Sequence, residues 1–210
     1  MTRILVATDA WHPQVNGVVR TLTMMAEAAK GFGVEVSFLT PQSFRTFAMP
    51  SYPDLRLALP HPGKIAKLIA AAKPDSIHIA TEGPIGLLVR RYCRKRGLPF
   101  TTSFHTRFPE YVSARSPIPE SWVWRALRWF HRPSQAVMAA TPPLAAEWRL
   151  RGFRNVVLWS RGVDTLAVPS TQRRSLPADA GVPQRRARRG RKESRSLSRP
   201  RSARHQARRR

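Results

Sequence analysis

The feature that most constrains this chain is a regular alternation of short β-branched apolar runs with amphipathic stretches of helical period. Arg3–Thr8 (RILVAT) is compact, apolar and β-branched, the pattern of a strand buried on both faces of a parallel sheet. After Asn16-Gly17, residues Val18, Leu22, Met25 and Ala29 recur at helical spacing until Gly31 and Gly33 stop the helix. Val34–Thr40 is the next strand. The pattern then repeats, with strands over Arg56–Leu59, Ser76–Ala80, Pro99–Phe104, Ala136–Thr141 and Val156–Trp159. Helices fall over Gly63–Lys73, Pro84–Arg96, Ser121–Arg132 and Pro142–Arg151. Such spacing predicts an α/β, Rossmann-like, doubly wound parallel sheet.

Ligands of such sheets bind beyond the carboxyl ends of the strands. The loops at those ends are therefore the candidate site: Asp9–Gly17, Thr81–Pro84, His105–Pro109 and Ser160–Asp164. Asn16-Gly17 suits a tight turn with positive φ, and Gly17 would let helix N-terminal amides approach an anion. Asp9 either binds a hydroxyl-rich ligand or caps its turn. Glu82, beside Gly83, stands at a helix start, where the helix dipole alone is reason enough for a carboxylate. His105 follows a strand among Thr106, Arg107 and Glu110, which is a better place for ligand contact than for core packing. His12, His61, His78 and His131 read as structural or surface residues. No His/Cys/Asp/Glu spacing matches a metal site.

Charge divides the chain. From Leu166 to Arg210 there are 15 Lys/Arg against 2 Asp/Glu, a surplus of +13 out of the total +25, which leaves +12 for the first 165 residues. The tail has few large apolar residues and no period, so it reads as disordered. It would bind nucleic acid or other polyanions nonspecifically. The single cysteine, Cys93, excludes an internal disulfide and fits a reducing, cytoplasmic setting. No apolar run reaches the length of a membrane span. Ser121–Arg132 (SWVWRALRWFHR) interleaves Trp with Arg. That composition suits either an anionic bilayer surface, hence peripheral membrane association, or a helix with Trp in the core and a solvated basic face.

Five stretches, TDAWHPQVNGVVRTL, PSYPDLRLALP, IHIATEGPIG, TSFHTRFPEYV and WSRGVDT, appear in the order and spacing of glycosyltransferase family 4. Over residues 1–165 the chain resembles the N-terminal, acceptor-side half of these retaining, two-domain enzymes, in the branch that moves mannose or related sugars onto lipids. The resemblance implies that Asn16, Gly17, Arg161, Gly162 and Asp164 lie near the donor diphosphate and the cleft. It implies an acceptor pocket with Asp9, Glu82, Gly83 and Arg107, and assigns His105 as the catalytic candidate that contacts acceptor or transferred sugar. The donor would be a nucleotide sugar, GDP-mannose or a UDP-sugar, and the acceptor a lipid or glycan. No metal and no cofactor would be needed. Catalysis would rest on positioning and on stabilising the leaving diphosphate.

Nothing after Asp164 resembles the family's donor domain. Back-translation of Val182–Arg209 with free third bases, read one nucleotide downstream, permits FLSVGRVAVEKNLEAFLALDLPGTKLVV. This strand-helix-strand pattern resembles the start of that domain, with a Gly-Arg and a Lys of the kind that clamp a diphosphate. The expectation is a shifted reading frame near Thr165 and a chain inactive on its own. The alternatives are a nucleic-acid-binding protein acting through its Arg-rich tail and the acceptor half of a split transferase.

Overall fold

The computed structural model describes residues 1–13, 16–49, 52–105 and 118–159. Six strands form one sheet: β1 (Thr2–Ala7), β2 (Val34–Leu39), β5 (Ser76–Ile79), β6 (Thr101–Ser103), β7 (Ala136–Ala139) and β8 (Val156–Leu158). Their spatial order is β2-β1-β5-β6-β7-β8 and every pairing is parallel. The chain winds outward from β1 to β2, then crosses back to lay β5 on the other side of β1. The switch point therefore falls between β1 and β5, where the strand order reverses. One expected strand is placed differently. Arg56–Leu59 does not join this sheet; β4 (Tyr52–Ala58) instead pairs antiparallel with β3 (Thr46–Met49) as a separate two-stranded ribbon. The pattern could not reveal this, because a short strand carries no mark of which partner it finds.

Alternation along the strands divides the core. Leu5, Ala7, Ile77 and Ile79 share one cluster with Ile65 and Ile69 of α2 (Pro62–Ala72) and with Ile85, Val89 and Cys93 of α3 (Pro84–Arg96). Val6 and Ala80 face the other way, onto Leu22 of α1 (Gly17–Lys30), with Ile4, Val18 and Met25 packed alongside. A third cluster joins Phe104 and Val137 to Trp124 and Leu127 of α4 (Glu120–His131) and to Trp148 of α5 (Pro142–Leu150). The helix stops are local. Gly33 takes φ 69° after α1, and Gly97, at φ 63°, caps α3 in the left-handed region.

Arg90 ties α3 to α4. Its side chain is buried, its Nε donates to the Phe130 carbonyl at 2.8 Å and its Nη2 to the Trp129 carbonyl at 2.7 Å. The guanidinium also stacks 3.9 Å from the Trp129 ring centroid. It thus satisfies carbonyls of the last α4 turn, at the negative end of that helix dipole. Arg90→Met keeps most of the apolar stem and orphans these acceptors. The expected result is a loss of about 2 kcal/mol in urea unfolding, with the α4 amides losing protection from hydrogen exchange first.

Candidate functional site

Of the residues expected at the strand ends, Asp9 and Thr81–Gly83 meet at the switch point, and His105 stands one strand further on, after β6. Asp9 leaves β1 and Thr81-Glu82-Gly83 leaves β5, and the two loops are stitched together. The Asp9 amide donates to Thr81 Oγ1 at 2.7 Å, and the Thr81 hydroxyl returns a bond to Asp9 Oδ2 at 3.0 Å. Asp9 Oδ1 accepts from the Ile85 amide at 2.9 Å and Oδ2 from the Gly86 amide at 3.2 Å. The Asp9 carboxylate therefore caps α3, the helix of the neighbouring βα unit. Of the two readings left open by the sequence this is capping, carried across the switch point rather than within its own turn. Burial raises the Asp9 carboxyl above its ordinary range, against the pull of the Ile85, Gly86 and Thr81 donors. Gly83 is needed for contact: a Cβ there would overlap the Asp9 carboxylate.

Asn16 behaves as an N-cap. Its side-chain oxygen accepts from the Val18 and Val19 amides, each at 3.0 Å. The expected positive φ does not occur at Asn16-Gly17. Asn16 is extended at φ −139°, and Gly17, the first helical residue, is not among the positive-φ glycines. The reason is that the chain enters the helix directly through a cap instead of through a tight turn. What the glycine provides is room, since nothing lies within 4 Å of where its Cβ would stand.

Behind Glu82 and His105 stand two buried histidines that the sequence did not single out, His131 touching Glu82 directly and His78 reaching His105 through Ser103. His131, from the end of α4, is 1% exposed; its Nε2 donates to Glu82 Oε1 at 3.2 Å and its Nδ1 lies 2.8 Å from Thr102 Oγ1. On the other face of β6, His78 Nδ1 lies 2.9 Å from Thr101 Oγ1 and Nε2 lies 3.0 Å from Ser103 Oγ. Ser103 Oγ in turn lies 2.7 Å from His105 Nε2. Burial, with the His105 ring as a secondary cause, lowers His78 to about 3. Trp159, just after β8, sets its ring edge-on to both imidazoles, 6.2 Å from His78 and 6.3 Å from His105. Period-2 alternation of the Thr-Thr-Ser strand explains the division. Thr101 and Ser103 face one side and Thr102 the other.

A histidine in the middle of a buried apolar strand, as in Ser-Ile-His-Ile-Ala, was the available signal for His78. A buried polar group needs a partner. His131 had no such mark, because only the packing of α4 shows which side of that helix end is inside. Arg107, Arg161, Gly162 and Asp164 lie outside the described residues.

A doubly wound parallel sheet with its strand order reversing between β1 and β5 is a Rossmann-like domain. The family model of Glycosyltransferase Family 4 matches residues 15–166, and the chain belongs to that family. It is 23% identical over 181 residues to a GDP-mannose-dependent alpha-mannosyltransferase of Mycobacterium tuberculosis, covering 77% of this chain and 48% of that protein. It is 26% identical over 128 residues to a sulfoquinovosyl transferase of Arabidopsis thaliana, covering 58% of this chain and 24% of that protein. Among solved structures, Anabaena HepE in complex with UDP and glucose shares the fold at a TM-score of 0.50 and 16% identity, over 78% of this chain and 45% of that one. The chain spans about half the length, or less, of the curated relatives it matches.

Proposed function

We propose that residues 1–165 are the acceptor-side half of a retaining, nucleotide-sugar-dependent hexosyltransferase that acts on a lipid or glycan acceptor, with a GDP- or UDP-linked sugar as donor. The observation that carries this reading is the pairing of Glu82 and His105 at neighbouring strand ends of a family 4 domain. Glu82 is met directly by the buried His131 imidazole, and His105 by the Ser103 hydroxyl, which the buried His78 also bonds. Glu82 offers carboxylate oxygens to acceptor hydroxyls, and His105 meets the sugar being transferred. Asn16-Gly17 at the start of α1, with Arg161, Gly162 and Asp164, is assigned to the donor diphosphate side. Asp9 and Gly83 support the acceptor side by holding α3 in place, and Arg107 is assigned to the acceptor.

The basic tail is read as an out-of-frame start of the donor-binding half. Sequencing the gene across the codons around Thr165 tests it. The expected result is a single-base insertion or deletion whose correction opens a frame encoding a donor domain. A confirmed tail with no in-phase continuation sinks that part. The corrected protein is then assayed for transfer from GDP-mannose and from UDP-sugars to lipid acceptors. Absence of transfer from every donor overturns the transferase reading.

A lipid acceptor is favoured by the surface of α4. Trp124 is in the core, but Trp122 and Trp129 are 63% and 55% exposed, seven residues apart on one side of the helix, with Arg125 and Arg132 exposed beside them. Only part of the core-and-solvated-face alternative therefore holds. Through Arg90 this side adjoins α3, where Arg91, Arg94, Lys95 and Arg96 are exposed. Among the described residues no helix is long and apolar enough to cross a membrane, so the proposal is docking on the anionic bilayer surface. Each Arg near such a surface contributes about 1 kcal/mol, while the Trp rings insert. Salt separates the two contributions. In salt near 1 M, where the screening length is about 3 Å, residual binding to phosphatidylglycerol-containing vesicles is expected to fall at least tenfold in the Trp122→Ala/Trp129→Ala chain. Equal residual binding by both chains would remove α4 from the docking face.

A further inference from the structure

We propose that His131 is a positioning residue: by donating from Nε2 to Oε1 it holds the Glu82 carboxylate still and leaves Oε2 to accept from a ligand hydroxyl. The holding is a matter of geometry alone, whereas its consequence for a ligand rests on the reading of Glu82 as an acceptor-side residue.

Glu82 stands just before Gly83, the N-cap of α3, where a helix start would ordinarily account for a carboxylate. Here that helix start is already occupied. The Ile85 and Gly86 amides donate to Asp9, and the Leu87 amide closes on the Gly83 carbonyl. Burial is the main reason that the Asp9 carboxyl lies high, and the nearby Glu82 charge adds to it. Two carboxylates thus share the switch point, and only one of them has the helix. Among the described residues, the donor that meets Glu82 is His131 Nε2, 3.2 Å from Oε1. The Glu82 side chain is 28% exposed and that of His131 1% exposed, so a ligand can reach the carboxylate but not the imidazole behind it.

His131 is fixed in turn. Its ring lies among Phe104, Phe130 and Phe153, at centroid separations of 6.2, 5.0 and 5.9 Å. Its Nδ1 lies 2.8 Å from Thr102 Oγ1. A carboxylate only accepts, so the proton between His131 and Glu82 belongs to Nε2. A neutral ring then has Nδ1 bare, and Thr102 donates to it. Ser134 cannot supply that proton. Its own goes to the His131 carbonyl at 2.7 Å, while Asn155 Nδ2 donates to its oxygen at 3.0 Å. An imidazolium would carry a proton on Nδ1 as well, turning the Thr102 hydroxyl toward Ser134 Oγ, 3.3 Å away. In either charge state Nε2–H faces Glu82.

The carboxylate cannot pivot without breaking this bond, so Oε2 keeps one direction. Its lone pairs suit a hydroxyl and repel an anion. Because Glu82 is already ordered, a ligand that bonds Oε2 freezes fewer rotamers on binding.

Imidazole ¹⁵N spectra and side-chain three-bond couplings of the full chain at neutral pH test the holding without any sugar. The wild type should show a proton on His131 Nε2 and a single Glu82 rotamer. His131→Phe, which fills the space among the three Phe rings but has no donor, should leave Glu82 averaging among rotamers. His131→Gln, whose amide can donate, should restore the order. A role in packing alone predicts the reverse ranking of the two variants. An unprotonated Nε2 or an averaging Glu82 in the wild type overturns the proposal, and neither result needs a variant to fold. A Glu82 as ordered in His131→Phe as in the wild type overturns it equally. A second measurement uses methyl α-mannoside as an uncharged hydroxyl probe. Its Kd should rise about tenfold in His131→Phe and recover in His131→Gln; an unchanged Kd overturns the consequence drawn for Oε2. Absence of binding by the wild type sinks the acceptor reading of Glu82, while the couplings still decide whether His131 holds it, so the two failures are distinguishable.

Discussion

Acid should unfold this domain early, and His78 should be the largest single reason. The buried ring has its affinity for protons lowered from 6.5 to about 3. Between these two values the unfolded chain binds a proton at this residue and the folded chain does not. Stability therefore rises with pH across that window and falls as pH drops through it. At 1.36 kcal/mol per pKa unit, the loss between pH 6.5 and pH 3 is on the order of 4 kcal/mol. That is a large share of the 5–15 kcal/mol typical of a folded domain. Urea midpoints measured from pH 7 to pH 4 should fall steeply in the wild type. His78→Gln, which keeps a donor and an acceptor but cannot titrate, should start lower at pH 7 and show a distinctly flatter slope. Parallel slopes in the two proteins would mean that His78 is not the acid-labile group.

The second large effect is expected at Asp9. Its carboxylate receives two amides of α3 and the Thr81 hydroxyl from a half-buried position at the switch point. Asp9→Ala removes the two acceptor oxygens that take these three bonds and leaves their donors without partners. Loss of a cap and of buried hydrogen bonds together should cost about 3 kcal/mol. For a domain of this size that is roughly 6–12 °C in Tm. Asp9→Asn keeps the shape but turns an NH₂ toward donors whichever way it is placed, so only partial recovery is expected. Thermal unfolding followed by circular dichroism measures both. An Asp9→Ala protein as stable as wild type would show that α3 does not depend on this cap. The effect on the site is indirect but definite: the same loop carries Glu82, so fraying of α3 should also loosen the Glu82–His131 contact.

Much of the fold was legible in advance because its signals are local. The apolar run Arg3–Thr8, the helical spacing from Val18 to Ala29 and the stop at Gly33 each depend only on neighbours in the chain. All reappear in β1, α1 and the left-handed turn after it. The ribbon of β3 and β4 was not legible, because the choice between joining the parallel sheet and pairing with a nearby segment is a competition between distant partners. At the site, the strand-end rule located Asp9, Glu82 and His105, but it could not say what each side chain touches. Asp9 proved to be engaged by backbone amides of another βα unit, a contact spanning more than seventy residues. The exposed pair Trp122 and Trp129 and the buried Trp124 belong to one helix of mixed composition, and only the packing of that helix separated them.

The sequence by itself determined the alternation of strands and helices, the loops that gather at the carboxyl ends of the strands and the family to which they belong. It also set the abrupt change of composition near residue 165. These are properties of period, turn chemistry and order along the chain. Only the tertiary structure decided which imidazoles stand behind the site. Parallel pairing brings His78 beside Thr101, and the two-residue period of β6 then turns Thr101 and Ser103 toward His78 and Thr102 toward His131. A buried histidine is defined by the hydroxyls that surround it, and those come from strands that meet only when the sheet is built.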